Sequence, residues 1–216
     1  MNEYLNQLFS NLDTWRHFPA YQLERRADIF FSVYLLEYLK SERGYDVQSI
    51  IPEFPIRVGT IDPKNEDLNR SFKVDYLVKV RQPNSVLFIE LKTDKKSIEK
   101  KQDGYLQDAK NKKMPLLLEG LRSIYRATNA RDKYRHLLKE LEDATLIKNV
   151  CDCEFDVVRK NTPITVLRLQ PTGNAKNIIT FKQFADFVGT KEDELSRRFS
   201  KSLKEWATTK AGARSS

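Results

Sequence analysis

Two hydrophobic runs joined by a short polar segment constrain this chain more than any other feature. Residues 72–80 and 85–92 are rich in Val, Leu, Ile, Phe and Tyr, which suit a pleated, half-buried surface. Residues 81–84 between them include the turn formers proline and asparagine. The pattern therefore predicts an antiparallel β-hairpin with a loop of about four residues.

The register of this hairpin decides which side chains share a face. If Val80 pairs with Ser85, Asp75 lies directly opposite Glu90, because side chains alternate between the two faces of a strand. One face is then wholly apolar and is expected to pack into a core. The other face gathers two carboxylates and a lysine at one end, and it carries Lys73, Asp75, Leu77, Lys79, Val86, Phe88, Glu90 and Lys92.

Two carboxylates opposite each other on a sheet repel and need compensation. Lys73 or Lys92 could provide it as an ordinary ion pair. A divalent cation could also provide it, since Mg²⁺ is commonly held by one or two carboxylates together with substrate phosphates. The residues alone leave both explanations open.

The spacing from Asp75 to the run Glu90-Leu91-Lys92, at the end of a hydrophobic strand, resembles the PD-(D/E)xK nuclease superfamily. Val74 stands where the nominal motif has proline. The resemblance covers roughly residues 20–125 and implies an α/β fold with a restriction-endonuclease-like core, in which a central mixed β-sheet is flanked by helices. Residues 126–216 are expected to add a sheet extension and a helical C-terminal extension, within one domain spanning 1–216.

The same resemblance implies a metal-dependent nuclease that hydrolyses phosphodiester bonds, with DNA favoured over RNA and with endonuclease and exonuclease action both left open. Asp75, Glu90 and the backbone carbonyl of Leu91 would hold Mg²⁺, with Mn²⁺ as the alternative ion. Lys92 would position the attacking water or stabilise charge on the phosphate. Lysine is a poor base at its reference pKa of about 10.4, so these roles demand less of it than proton abstraction.

A long helix is predicted from about residue 21 to residue 43, ended by Gly44, with an interior apolar on nearly all sides. Glu24 lies in line with its stripe of Ala27, Phe31, Leu35 and Tyr38 at helical spacing. The family resemblance implies a catalytic glutamate that faces the metal near the start of this helix, which Glu24 matches. The alternative is a first-turn acid that complements the helix dipole. Glu37, farther along the same helix, is a second alternative for that role.

Basic residues outnumber acidic residues, with 38 Lys and Arg against 30 Asp and Glu. The net charge of +8 favours nucleic acid as the partner. A lysine-rich helix is predicted to begin near residue 97, and its basic band is either a solvated face or a phosphate contact. We predict phosphate contact, and the family resemblance also implies a glutamine and a tyrosine on this helix. The residues predicted to bind nucleic acid are Lys73, Lys95, Lys96, Lys100, Lys101, Gln102 and Tyr105.

Further helices are predicted over 2–12, 114–125, 132–142, 181–187 and 192–206, and further strands over 50–59, 155–158 and 162–169. The prolines of the first of these strands favour an edge position, and the last two strands are expected to extend the sheet. Cys151 and Cys153 are interpreted as two reduced thiols, because a structural zinc site usually needs four ligands. The chain has neither an apolar run of 18 residues nor a leader pattern at its start, so a cytoplasmic protein without a membrane partner is expected.

Two rival functions remain beside the nuclease. One is a non-catalytic nucleic-acid-binding protein on the same fold, because a fold does not determine a function. The other is a protein-interaction factor whose basic surface meets an acidic partner. Many endonucleases of the resembled family dimerise to cut both strands, so a homodimer is a further expectation.

Overall fold

The structure is a computed structural model that describes residues 2–62, 64, 70–93, 100–152 and 154–208, without the side chains of residues 100–103. Within these residues the helices are α1 (Glu3–Trp15), α2 (Leu23–Ser41), α3 (Val58–Ile61), α4 (Lys100–Asn111), α5 (Met114–Ala127), α6 (Arg131–Asp143), α7 (Phe181–Val188) and α8 (Glu194–Thr208). The strands are β1 (Val47–Arg57), β2 (Ser71–Val80), β3 (Ser85–Leu91), β4 (Ile147–Cys151), β5 (Glu154–Val157), β6 (Ile164–Gln170) and β7 (Ile178–Thr180).

Five strands form one sheet in the order β1-β2-β3-β6-β7. β1, β2 and β3 are antiparallel neighbours, whereas β6 and β7 run parallel. The Val86 amide donates to the Pro163 carbonyl and the Lys92 amide to the Leu169 carbonyl, so β3 and β6 advance together and are parallel. The predicted α/β fold with a central mixed sheet flanked by helices is therefore confirmed.

The predicted hairpin is present with the predicted register. Val80 pairs with Ser85, and the ladder runs back to the pair Tyr76 and Ile89. Every residue of β3 is buried, on both faces of the strand. β2 and β6 cover the edges of β3, and the burial of all its residues shows that both of its faces are covered as well, so the expectation of one core-facing side was incomplete.

The chain divides into two compact units that interleave along the sequence. Unit 1 comprises Met1–Gly44, Leu91–Glu99 and Leu167–Ser216, and unit 2 comprises Tyr45–Glu90 and Lys100–Val166. The predicted single domain stays a prediction.

Each unit has its own core. In unit 2, apolar residues of β1, β2 and β3 pack with the buried faces of α5 and α6, and Met114, Leu118 and Leu121 of α5 are fully enclosed. In unit 1, Phe199 of α8 contacts the rings of Phe9, Phe31 and Trp206. Such contacts combine a large buried area with favourable ring geometry, so aromatic packing holds these helices together.

Three local predictions were wrong or incomplete. The strand at 155–158 does not extend the central sheet, because β5 pairs with β4 in a separate two-stranded sheet. β4 and β7 were not predicted. The apolar interior of the second helix predicted burial on several sides, but Ile29 and Val33 of this interior are 62% and 60% exposed.

Most of the other elements follow their predictions closely, but the short helix α3 was not predicted and begins at Val58, within the strand predicted over 50–59. The predicted start of the lysine-rich helix near residue 97 lies outside the described residues. β1 is an edge strand, in agreement with its prolines. Thr180 and Gln183 form a capping box that begins α7 at Phe181. Among the described residues, none of the helices combines the length and apolar character that crossing a bilayer requires.

Candidate active site

The first part of the candidate site lies in unit 2, at the end of the hairpin farthest from its loop. Asp75 and Glu90 are the next residues beyond the pair Tyr76 and Ile89 on the two neighbouring strands. Glu90 is only 1% exposed, and Asp75 is half-buried. Removing a carboxylate from water is costly unless it is paired, hydrogen-bonded or bound to a metal, so this position is energetically demanding.

Glu53 of β1 is a neighbour of this position that the sequence did not suggest. Pro52 pairs with Tyr76 and Phe54 with Val74, so Glu53 and Asp75 lie between these two pairs. Glu53 has a φ of 52°, in the left-handed region that non-glycine residues seldom adopt. The flanking prolines signalled an irregular strand, but not which side chain the irregularity presents.

Lys73 and Lys92 were the two candidate partners for the opposed carboxylates, and Lys73 makes a different contact. Its ammonium donates to the Glu53 carboxylate at 2.7 Å, and both side chains are more than half exposed. An exposed pair of this kind contributes little to stability, about 0–1 kcal/mol. Lys73 therefore joins β2 to the edge strand β1.

The second part of the candidate site lies in unit 1. The Lys92 ammonium is 3.7 Å from a Glu24 carboxylate oxygen, with side-chain exposures of 7% and 26%. The Lys92 amide donates to the Leu169 carbonyl at 2.9 Å, which holds the end of β3 beside β6. The structure thus brings two of the predicted catalytic residues together.

Glu24 reaches this position because of the periodicity of α2. Ala27, Phe31, Leu35 and Tyr38 are all buried, so the predicted stripe is the inner face of the helix. Glu24 belongs to the first turn of α2 and continues that stripe at its amino-terminal end. A carboxylate in the first turn also interacts favourably with the helix dipole, so the two explanations for Glu24 are compatible.

The two parts are linked along the chain by Glu90-Leu91-Lys92, which spans the boundary between the units. Glu90 ends a segment of unit 2, and Leu91, which is 1% exposed, begins a segment of unit 1. The assignment of Asp75, Glu90, Leu91, Lys92 and Glu24 to one site stays a prediction.

The donor atoms of the predicted metal site are all oxygens. Mg²⁺ and Mn²⁺ prefer carboxylate, carbonyl and water oxygens, so two carboxylates and the Leu91 carbonyl fit these ions chemically. Among the described residues, no group of three or more His, Cys, Asp and Glu side chains is arranged to hold a metal. The predicted set contains two carboxylate side chains and one backbone carbonyl. Water would fill the remaining coordination positions, because Mg²⁺ usually retains several waters.

Most of the residues predicted to bind nucleic acid have side chains that the structure does not describe. Lys95 and Lys96 lie outside the described residues, as do the side chains of Lys100, Lys101 and Gln102 in α4. The Tyr105 ring is half-buried and lies 5.4 Å from the Phe72 ring, between centroids. Tyr105 therefore packs α4 against the start of β2.

Several arginines that could have added to the basic surface are engaged with acids. Arg122 and Arg126 both pair with Glu154, and Arg122 also pairs with Glu119. The hydrogen bond from Arg126 is the main cause that lowers the pKa of the Glu154 carboxyl. This network joins α5 to β5 and neutralises part of the charge of unit 2.

The cysteines and the histidines were the remaining candidate ligands. Cys151 is an exposed free thiol at the end of β4, and Cys153 lies outside the described residues. His136 is exposed on α6.

Comparisons with protein-family models, with the curated proteins and with the solved structures found no match.

Proposed function

We propose that the protein is a metal-dependent nuclease with a PD-(D/E)xK-type site on a restriction-endonuclease-like fold. The observation that carries the proposal is the register of the hairpin, which makes Asp75 and Glu90 the next positions on neighbouring central strands. The ion pair of Lys92 with Glu24 supports it further. Nearly complete burial of Glu90 is compatible with metal binding, because buried carboxylates are almost always paired with a cation or bound to a metal.

Asp75, Glu90 and the Leu91 carbonyl would hold Mg²⁺ or Mn²⁺. When bound, such an ion polarises a phosphoryl oxygen and lowers the pKa of a coordinated water. The residues of the chain itself orient the reacting groups and stabilise the developing charge.

Lys92 acts as a positioned cation in this proposal. Its ammonium donates hydrogen bonds that orient the attacking water and stabilise the negative charge that develops on the phosphate. The Glu24 carboxylate and the backbone bond to Leu169 restrict where that ammonium can lie. DNA is the proposed substrate, and the net charge of +8 supports a polyanionic one.

The test is cleavage of plasmid, linear duplex DNA, single-stranded DNA and RNA with Mg²⁺, with Mn²⁺ or with EDTA. We expect metal-dependent cutting that falls at least about a hundredfold in Asp75→Asn and in Lys92→Ala, each checked for folding by circular dichroism. Lys139→Ala is the matched control because Lys139 is an exposed lysine on α6.

Cutting that survives in both site variants would overturn the assignment of the residues. Absence of cutting under every condition, with nucleic acid still bound, would instead favour the non-catalytic binding protein. Absence of both would favour the protein-interaction factor.

A further inference from the structure

A second polar pocket lies in unit 2, at the loop end of the hairpin. Its volume is about 310 Å³, and it is lined in part by Gln48, Lys79, Arg81, Asn84, Lys160 and Thr162. The volume is at the lower end of the range of small-molecule sites, about 300–1,000 Å³. Lys79 is four residues from Asp75 along β2, a distance of about 14 Å at the rise of a strand. This pocket is therefore distinct from the candidate active site.

Lys79 is the unusual residue of the pocket because it is only 2% exposed. Its ammonium donates to the Val80 carbonyl at 2.5 Å and to the Asn84 side-chain oxygen at 2.6 Å. An ammonium has three N–H donors, so these two bonds leave one donor for a ligand. Lysine is seldom so deeply buried unless it is paired with an acid.

The charges around Lys79 are of the same sign. Arg81 and Lys160 also line the pocket, and no Asp or Glu is among its described lining residues. Arg81 pairs with Asp46 outside that set. Burial, and then the charge of Lys160, lower the pKa of the Lys79 ammonium. An anion in the pocket would offset both the lost hydration of the Lys79 ammonium and its repulsion from Lys160.

The neutral groups around the pocket hold this arrangement in place. The Asn84 side-chain amide donates to the Asn161 carbonyl and to the Thr162 hydroxyl, so its oxygen is directed at Lys79. Thr145, another lining residue, has a φ of 58°. A β-branched residue in the left-handed region is a conformational outlier, and such strain clusters at ligand sites.

We propose that this pocket binds the phosphate group of a small anion through Lys79, Lys160 and Arg81. Lys79 supplies a desolvated charge-assisted hydrogen bond, and the exposed Lys160 supplies long-range attraction. The Arg81 guanidinium is already paired with Asp46, and it offers its remaining N–H donors. Inorganic phosphate and a nucleoside monophosphate share this chemistry. The proposal does not depend on the nuclease activity, because none of its residues belongs to the candidate active site.

Isothermal titration calorimetry of the full chain in phosphate-free buffer tests it, with inorganic phosphate and AMP as the two probes. We expect saturable binding of at least one probe, weakened at least about tenfold in Lys160→Gln and in Lys79→Met. Tighter binding of AMP would identify a nucleotide site, and equal binding would identify a site for phosphate alone. Lys139→Gln removes an exposed lysine elsewhere in unit 2 and should bind as the unchanged protein does.

Lys160 is exposed, so the Lys160→Gln variant should fold even if Lys79→Met does not. Absence of saturable binding of both probes would overturn the proposal. Equal affinity in the unchanged protein and in Lys160→Gln would also overturn it.

Discussion

The Lys92 ammonium and the Glu24 carboxylate lie 3.7 Å apart and are both largely removed from solvent. Desolvation weakens the net stabilisation that such a pair can provide, so the pair is poorly explained as a simple stabilising contact. A partly buried carboxylate does restrict the orientation of an ammonium. This restriction is what a catalytic lysine requires, because small displacements of a reacting group are costly in rate.

Replacing Glu24 with glutamine should therefore lower cleavage more than it lowers folding stability. We expect Glu24→Gln to reduce kcat roughly tenfold to a hundredfold with a smaller change in KM, since Lys92 would lose its orienting charge. Steady-state cleavage kinetics of the folded variant measure both constants. Glu37→Gln is the matched control, because Glu37 is an exposed acid on the same helix that pairs with Lys191. Equal losses in the two variants would refute a specific role for Glu24.

Periodicity explains which site residues the sequence could indicate. The expected shared face of Asp75, Glu90 and Lys92 follows from the alternation of a strand, and the position of Glu24 follows from the stripe of a helix; both patterns are local. Their assignment to a catalytic site came from the family resemblance. The contact of Lys73 with Glu53 joins two strands, and nothing local to either residue encodes it. The pocket that Lys79 lines likewise includes Gln48 and Lys160, which are distant in sequence. Partners that meet only after folding were therefore beyond prediction.

The packing of α8 on α1 depends on one acid as well as on aromatic rings. Asp13 of α1 accepts hydrogen bonds from Arg198, Ser202 and Trp206 of α8, at 2.7, 3.1 and 2.8 Å. The sequence predicts a stripe of Leu195, Phe199, Leu203 and Trp206 on the last helix; Leu195 is half-buried and the other three are buried. It could not show that buried serines would accompany them, because serine is usually exposed.

Removal of the Asp13 carboxylate should destabilise unit 1. We expect Asp13→Ala to lower the free energy of unfolding by about 2–4 kcal/mol, because three donors lose their acceptor and the Arg198 charge loses its partner. Urea unfolding followed by tryptophan fluorescence measures the change. Asp186→Ala is the control, since Asp186 joins α7 to α8 through an exposed pair with Lys204 and should cost at most about 1 kcal/mol. Similar losses of unfolding free energy in both variants would show that the hydrogen bonds of Asp13 stabilise unit 1 no more than an exposed ion pair does.

The strands that were not predicted, β4 and β7, and the strand that was placed in the wrong sheet, β5, show the limits of predicting strands from the sequence. The hairpin was predictable because its strands are adjacent in sequence and joined by a recognisable turn. β5 also pairs with its neighbour in sequence, but β4 buries little of its surface and has no clear alternation. β7 is only three residues long. Short strands with weak hydrophobic patterns give too little local signal.

Across the whole molecule, some of the basic residues are already paired with acids. The net charge is +8, yet Arg122, Arg126 and Arg135 all form ion pairs with acids. Such pairs add little to the attraction of a polyanion. The lysines that precede and begin α4 are therefore the best candidates for phosphate contacts, because like charges are concentrated there in sequence.

This concentration predicts a specific dependence of DNA affinity on salt. Each phosphate contact contributes about −0.9 to the slope of log affinity against log salt concentration, because binding releases counterions from the duplex. The double variant Lys95→Gln/Lys96→Gln should make that slope less negative by about 2 and should weaken binding most at low salt. Fluorescence anisotropy with a labelled duplex and EDTA, over a series of salt concentrations, measures the slope without cleavage. Lys139→Gln/Lys148→Gln removes the same charge from exposed positions on α6 and β4 and should leave the slope nearly unchanged. Equal changes in the two double variants would mean that the overall field, rather than contacts at Lys95 and Lys96, attracts the DNA.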